Sequence, residues 1–303
     1  MIANIEALSA LSELGTMTKS ATRLRITQSA VSKRIAALEV SIGHRLIEHV
    51  GRGVRLTPAG VTLLEKTDPF MTALRDALRD DRPAGNERLE IGVSESILAS
   101  WGSEILADVR KANPRLALVV NAHRSPVALD HVRSGEYVLA LCAGLAEDTP
   151  ELRSEVIYEE PMVIVPRGLD PLVLSGTVPV MTIEPHSATW QCIGRRMRVA
   201  SRSWPFRIEV TQTLQSFSCI AQMARCGLAH GLVPLGIVNA LGIPESTVLA
   251  LPDRGLTRPV SLVGRRSAFA RPAVESFHES LIHAVTTITE RTASFNDSYL
   301  ASR

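Results

Sequence analysis

The sequence predicts a molecule in two parts, a small α+β head at the N-terminus joined by a helical linker to a larger, two-lobed α/β body. Three observations predict it. Three short helical periodicities and a glycine-marked hairpin fill residues 1–58. A longer amphipathic run with a charged, polar end occupies residues 59–87. From residue 88 to 303, strand-like and helix-like runs alternate, as they do where helices cover a sheet.

A chain of 303 residues accommodates two or three such units, and 45% apolar with 21% charged residues is the composition of an ordinary globular protein. No apolar run reaches the roughly 18 residues that a bilayer span needs, and no basic stretch leads into an apolar one at the N-terminus, so the expected location is the cytoplasm. Cys142, Cys192, Cys219 and Cys226 come late and without C-x-x-C pairing, so they read as buried free thiols and not as a disulfide framework or a zinc site. The net charge of +2 is unevenly spread. Residues 1–60 hold eight Lys or Arg against four acids, which leaves a net −2 for the remainder. A basic head on a slightly acidic body points to a polyanion met by the head alone.

The head divides in order. Ile5, Leu8, Leu11 or Ser12, and Leu14 recur at helical spacing, and Gly15 ends the run. Thr18 is placed to cap a second helix through Leu24, with Arg25 and Ile26 as the turn. Thr27 caps a third helix that closes at Gly43. Along it Val31, Ile35, Leu38 and Ile42 form one apolar stripe, while Ser29, Ser32, Lys33 and Ala36 lie opposite, with Gln28 on the exposed first turn. Amide, hydroxyl and ammonium groups on a helix backed by a second helix suit the donors and acceptors of a DNA major groove; a plain solvated face is the alternative. In RLIEHVGRGVRLT, residues 45–57, Gly51 and Gly53 mark a hairpin with Arg52 at its tip, and Arg52 and Arg55 are placed for phosphate or minor groove. No aromatic residue precedes Phe70, which favours duplex DNA over the stacking platforms of single-strand and RNA binding.

TKSATRLRITQSAVSKRIAALEVSIGHRLIEHVGRGVRLTPAG, residues 18–60, resembles the winged helix-turn-helix of LysR-type transcriptional regulators. Ala21, Gln28, Ser32, Leu38-Glu39, Gly43, Leu46, Leu56-Thr57 and Ala59-Gly60 match its pattern without a gap. The resemblance implies that the third helix reads bases through Gln28, Ser29, Ser32 and Lys33, with Arg34 beside them and Arg52 on the wing. Thr18, Thr27 and Arg55 complete the expected DNA-facing set. Ser29 stands where proline is commonest, Ile47 replaces Phe, and His49 replaces an arginine, which puts one phosphate contact in question.

In the linker, Thr57 is an N-cap with Pro58 at the first helical position, and Val61, Leu64, Met71, Leu74 and Leu78 follow. The resemblance makes this a dimerisation helix. Pro69 predicts a kink or break near Asp68, and DDRPAGNE, residues 80–87, reads as a hinge.

In the body, RLEIGV precedes a helical run from about Ile97 to Lys111, then come strand LALVVNA, helix PVALDHVRSG and strand YVLALCAG. A second set contains PVMTI, RIEVTQT, the helix LQSFSCIAQMARCG and HGLVP, and the chain returns through RPVSLVG and a long last helix. The alternation predicts parallel sheets in two lobes, lobe I over 88–160 and 266–303 and lobe II over 161–265, with a ligand cleft at the strand ends between them. This part resembles the effector-binding domain of the same regulators, which shares its architecture with periplasmic binding proteins. It departs at Val138, where Asp is usual, and at Ala229 and His230. Ser94, Ser96 and Ser125 sit where hydroxyls and helix amides together could hold a carboxylate or similar anion. Cys142 and Ala143 end a strand, and Ser187, Thr189, Thr213 and His230 are candidates from the opposite lobe. Each of these is also an ordinary cap, turn or packed strand residue.

No G-x-S-x-G elbow, H-E-x-x-H, phosphate loop or dinucleotide fingerprint occurs, so the reading is not an enzyme and carries no cofactor and no metal. A solute-binding protein without DNA regulation explains the lobes but not the basic head. A thiol-based redox regulator is a variant of the main reading, although Cys219 and Cys226 are two helical turns, about 10 Å, apart and too far for a disulfide without local unfolding. The expected partners are therefore double-stranded DNA with an interrupted inverted repeat, a small-molecule effector, further copies of the chain as dimer or tetramer, and RNA polymerase, with no membrane.

Overall fold

Leucine, isoleucine and valine at helical spacing build the head around one small core. In the computed structural model, which describes residues 1–51, 53–79, 87–144, 149, 151–251 and 256–301, helix α1 (Ile2–Leu14) buries Ala7, Leu8, Ala10 and Leu11 and ends at Gly15 with φ 64°. Helix α2 (Met17–Leu24) is capped by Thr16, whose hydroxyl accepts from the Lys19 amide at 3.4 Å. The cap expected at Thr18 is thus two residues early: the left-handed Gly15 leaves Thr16 as the last extended residue, and Thr18 lies inside the helix.

Helix α3 (Gln28–Ile42) is capped by Thr27, which accepts from the Ala30 amide at 3.2 Å, and it closes at Gly43 with φ 79°. Val31, Ile35 and Leu38 pack with Leu8, Leu11, Ala21 and Leu46. Ile42, the fourth member of the expected stripe, is 39% exposed, because the last turn of α3 runs past this core. Strands β1 (Ile47–Val50) and β2 (Gly53–Leu56) pair antiparallel, with Val50 opposite Gly53 and Gly51 at φ 60°. The Glu39 carboxylate accepts from the amides of Leu46 at 2.8 Å and Ile47 at 3.3 Å, tying α3 to the wing.

Thr57 then caps helix α4 (Pro58–Arg79), accepting from the Gly60 amide at 3.2 Å and donating to the Arg45 carbonyl at 2.7 Å. A Cβ on Gly60 would lie 2.3 Å from the Leu46 carbonyl oxygen, so this close approach needs glycine. The α4 helix is continuous through Pro69, so of the expected kink or break the break does not occur. A proline costs a helix one hydrogen bond, and a helix continued by its other residues can run on past it. The expected hinge lies outside the described residues up to residue 86, and residue 87 opens the body.

Lobe I begins with β3 (Glu87–Ser94), α5 (Glu95–Leu98) and α6 (Gly102–Ala112). The single helix expected from Ile97 is therefore two: Ser100 Oγ donates to the Ser96 carbonyl at 2.8 Å and Ser103 Oγ to the Leu98 carbonyl at 2.7 Å, competing with the helical ladder at the break. β4 (Leu116–His123), α7 (Ser125–Ser134) and β5 (Leu139–Ala143) complete a three-stranded parallel unit with β3 in the middle. The long β6 (Leu152–Val165) carries the chain into lobe II, which is built from β7 (Gly176–Ile183), α8 (Ala188–Ala200), β8 (Phe206–Leu214), α9 (Phe217–Arg225), β9 (His230–Pro234), α10 (Leu235–Ala240) and β10 (Leu249–Ala250). β11 (Thr257–Arg265) returns, and α11 (Pro272–Ala301) packs on lobe I.

The strand order is β4-β3-β5-β11-β6-β9-β7-β8, with β10 paired to β6. β3, β4 and β5 are mutually parallel, as are β7, β8 and β9, as the alternation implies. The joining pairs β5·β11, β11·β6 and β6·β9 are antiparallel. A chain that leaves one lobe and comes back must cross twice in opposite directions, so β6 and β11 run antiparallel as the two connections. Leu89, Ile91, Val93, Leu139 and Leu141 lie in the core of lobe I, and Val163, Ile164, Val180, Met181 and Leu232 in that of lobe II.

Candidate nucleic-acid and effector sites

In the head, burying Val31, Ile35 and Leu38 turns the other side of α3 outward. Thr27, Gln28, Ser29, Ser32 and Lys33 are all exposed there. The Thr18 hydroxyl lies 3.4 Å from Gln28 Oε1, and the Thr27 and Ser29 hydroxyls are 3.0 Å apart, so the N-terminus of α3 presents a small linked polar patch. Arg34 is half-buried and donates to the Ala3 carbonyl at 3.4 Å, facing back toward α1. Arg55 is exposed but paired across the hairpin with Glu48, donating through Nε at 2.9 Å and Nη2 at 2.6 Å. An exposed pair of this kind is weak enough to exchange for a phosphate. Arg52 lies outside the described residues. Six of the nine expected side chains thus share one outward patch, and Arg34 and Arg55 have protein partners.

In the body, a cavity of about 50 Å³ opens between the lobes. Ser94, Ser96, Ser125 and Ala143 line it from lobe I, and Ser187 and Thr189 from lobe II. The strand ends of β3 and β5, the short α5 and the N-terminal turns of α7 and α8 bring them together. The hydroxyls are not equivalent. Ser125 Oγ accepts from the Ala143 amide and donates to the Ala143 carbonyl, both at 3.0 Å, and so is spent on fixing β5. Ser187 Oγ accepts from the Trp190 amide at 3.0 Å as the cap of α8, which leaves its hydrogen for the cleft. Gly144 makes the approach of the lobes possible, since a Cβ there would lie 2.6 Å from the Ala188 backbone.

Three expected cleft residues lie elsewhere. Cys142 faces the opposite side of β5, packed with Ala128, Val132 and Tyr137, and burial pushes its thiol up to about 12. Side chains alternate along a strand, so Cys142 and Ala143 could not both face the cleft. Thr213 is exposed on the edge strand β8 beside Thr182. The His230 ring accepts from the Arg167 amide at 3.0 Å, and burial, then the Arg167 charge, hold it below the usual imidazole range. Sequence reasoning missed Arg124, Gln215 and Phe217 in the lining. Arg124 pairs with Glu184 across the two lobes. Its signal was legible, as the one cation directly before the α7 start. Cys219 and Cys226 are exposed free thiols. Among the described residues, no group of three His, Cys, Asp or Glu is placed to hold a metal, and no helix is long and apolar enough to cross a membrane.

Both parts of the chain match known proteins. Residues 2–61 match the bacterial regulatory helix-turn-helix of the lysR family, and residues 83–286 match the LysR substrate binding domain. An uncharacterized HTH-type transcriptional regulator of Vibrio cholerae is 27% identical over 288 residues, 94% of this chain and 96% of that protein. A probable hydrogen peroxide-inducible genes activator of Mycobacterium avium is 30% identical over 60% of this chain and 59% of its own. Among solved structures, ArgP of Mycobacterium tuberculosis superposes with a TM-score of 0.56 at 20% identity, over 93% of this chain and 96% of its own. CbnR in complex with its target DNA gives 0.52 at 16% identity, over 94% and 99%. An OxyR of Corynebacterium glutamicum gives 0.54 at 19%, over 98% and 97%. A helix-turn-helix head and a ligand-binding body together define a transcriptional regulator with a DNA-binding and an effector-binding domain. This chain belongs to the LysR family of such regulators.

Proposed function

We propose that residues 1–58 bind duplex DNA with α3 in the major groove, Gln28, Ser29, Ser32 and Lys33 touching base edges and Arg52 and Arg55 the phosphates. The observation that carries this reading is the outward side of α3, where Ser29, Ser32 and Lys33 are exposed away from the buried Val31, Ile35 and Leu38 and Gln28 is exposed on the first turn. Residues 59–87 are the linker through which subunits pair. A dimer or tetramer in the cytoplasm then meets an interrupted inverted repeat, and its position on the promoter governs access of RNA polymerase. Footprinting tests the assignment. Lys33→Ala should lower affinity and relax base preference, at about 1–3 kcal/mol for one lost base contact, whereas Arg52→Ala should weaken all sequences alike and flatten the salt dependence. Unchanged footprints in both variants would refute it.

Residues 88–303 hold the effector between the lobes, and the effector is an anion. Arg124 and the hydroxyls of Ser96 and Ser187 at the lining support that choice. At about 50 Å³ the present cavity is small beside ligand pockets of about 300–1,000 Å³, so the lobes part to admit the effector. A thermal-shift screen of small organic acids is the test, with stabilisation by one acid expected and uniform silence against. Likeness to OxyR, with Cys219 and Cys226 exposed, favours a second reading as a thiol-based redox regulator. Peroxide that leaves DNA binding unaltered rejects it.

A further inference from the structure

One buried ion pair stands directly behind the cleft. Arg258 on β11 and Glu160 on β6 are opposite each other in the two connecting strands, and both side chains are 0% exposed. The guanidinium donates through Nε to Glu160 Oε2 at 2.8 Å and, through Nη1, to Ser96 Oγ at 2.8 Å. Its carbon lies 5.4 Å from the centre of the Phe217 ring. Glu160 Oε1 is occupied on the far side by the Trp101 indole N–H and the Gly236 amide, both at 3.2 Å. Ser96 and Phe217 belong to the cleft lining, one on each lobe, so the cation sits one layer behind both walls.

An arginine can only donate. Ser96 Oγ must therefore accept from Arg258, and its own hydrogen is left to point at the cleft or at Ser94 Oγ, 3.4 Å away in the same wall. Without that bond the hydroxyl would be free to rotate, and its hydrogen would no longer be held on the cleft side. We infer that Arg258, which itself touches no ligand, is a specificity-determining positioning residue: it fixes Ser96 as a donor, so that the cleft favours oxyanions such as carboxylates, whose bond to that hydroxyl is charge-assisted, over neutral amides, whose carbonyl accepts a weaker one. The inference rests on the proposed effector cleft and names the residue that sets its selectivity. Glu160 holds the guanidinium in place from the connecting strands, so the donor is set before any ligand arrives.

The test uses the full-length protein and a panel of two- to eight-carbon carboxylates, each paired with its primary amide, with dissociation constants from calorimetry. The wild type should bind at least one acid far more tightly than its amide. Ser96→Ala should lower that acid-over-amide ratio about tenfold, the worth of one hydrogen bond to a charged group, and Ser96→Thr should restore it. Arg258→Lys keeps the ion pair but lacks the second arm of the fork, so its ratio should fall like that of Ser96→Ala. A wild-type ratio in Arg258→Lys beside a lowered one in Ser96→Ala overturns the role of Arg258. Equal binding of acids and amides by the wild type overturns the donor assignment. Binding of neither class removes the effector cleft itself, and this inference with it. Should Arg258→Lys fail to fold, an unchanged ratio in Ser96→Ala still decides against the proposal.

Discussion

Replacing Arg258 by Met leaves the Glu160 carboxylate fully buried without its counter-charge. Breaking such a pair by removing one partner costs about 3–5 kcal/mol, because the remaining charge is uncompensated. Here Glu160 keeps the Trp101 and Gly236 donors on Oε1, so the lower end, about 3 kcal/mol, applies. For a unit of this size, with an m-value of roughly 3 kcal/mol/M, that moves the urea midpoint down by about 1 M. Adding Glu160→Gln to Arg258→Met removes the buried charge and retains the Oε1 acceptor, leaving one amide N–H unpaired at about 1–3 kcal/mol. The double variant should therefore lie between the single variant and the wild type. Tryptophan fluorescence is the assay, since Trp101, Trp190 and Trp204, the three tryptophans of the chain, all belong to the unit beyond residue 84, and the head is silent. A shift below about 0.2 M in Arg258→Met, or a double variant no more stable than the single, would refute the reasoning.

Further outcomes follow from the same geometry. In the native protein, thiol titration at neutral pH should find two fast groups, the exposed Cys219 and Cys226, and two more only after denaturation, because Cys142 and Cys192 are buried and the Cys142 thiol is pushed up to about 12; four fast thiols would contradict that burial. Thr16→Ala should destabilise the head by about 1 kcal/mol while Thr18→Ala leaves thermal unfolding of that unit nearly unchanged, which distinguishes the observed cap from the expected one. His230 is held below the usual imidazole range by burial, so the unfolded chain takes up that proton first as the pH falls through the ordinary value of 6.5. The contribution is present above that pH and is lost below it, and urea midpoints at neutral and mildly acidic pH should converge in His230→Gln relative to the wild type; an unaltered pH slope would exclude His230 as its source.

The head was largely legible in the order of its residues. Val31, Ile35 and Leu38 at helical spacing, a threonine cap at Thr27, and glycines at 15 and 43 are local signals, each set by steric and hydrogen-bonding rules that act within a few residues, and the structure follows them. Misplacement of the second cap by two residues has the same origin, because Thr16 and Thr18 are chemically alike and only the left-handed turn at Gly15 chooses between them. In the body, the alternation of strands and helices foretold two parallel units, and Ser94, Ser96, Ser125, Ser187 and Thr189 could be gathered as strand-end and helix-start hydroxyls.

What tertiary structure alone decided is how those groups are directed. Cys142 and Ala143 are neighbours in sequence, yet the pleat turns one into a core and the other toward the cleft. Ser125 and Ser96 look equivalent as residues, but the Ala143 backbone consumes one hydroxyl while Arg258, 162 positions away, orients the other. Local pattern determined which elements exist, since periodicity and capping are short-range. Register between the connecting strands, a long-range property, decided that an arginine and a glutamate nearly a hundred residues apart would meet behind the cleft.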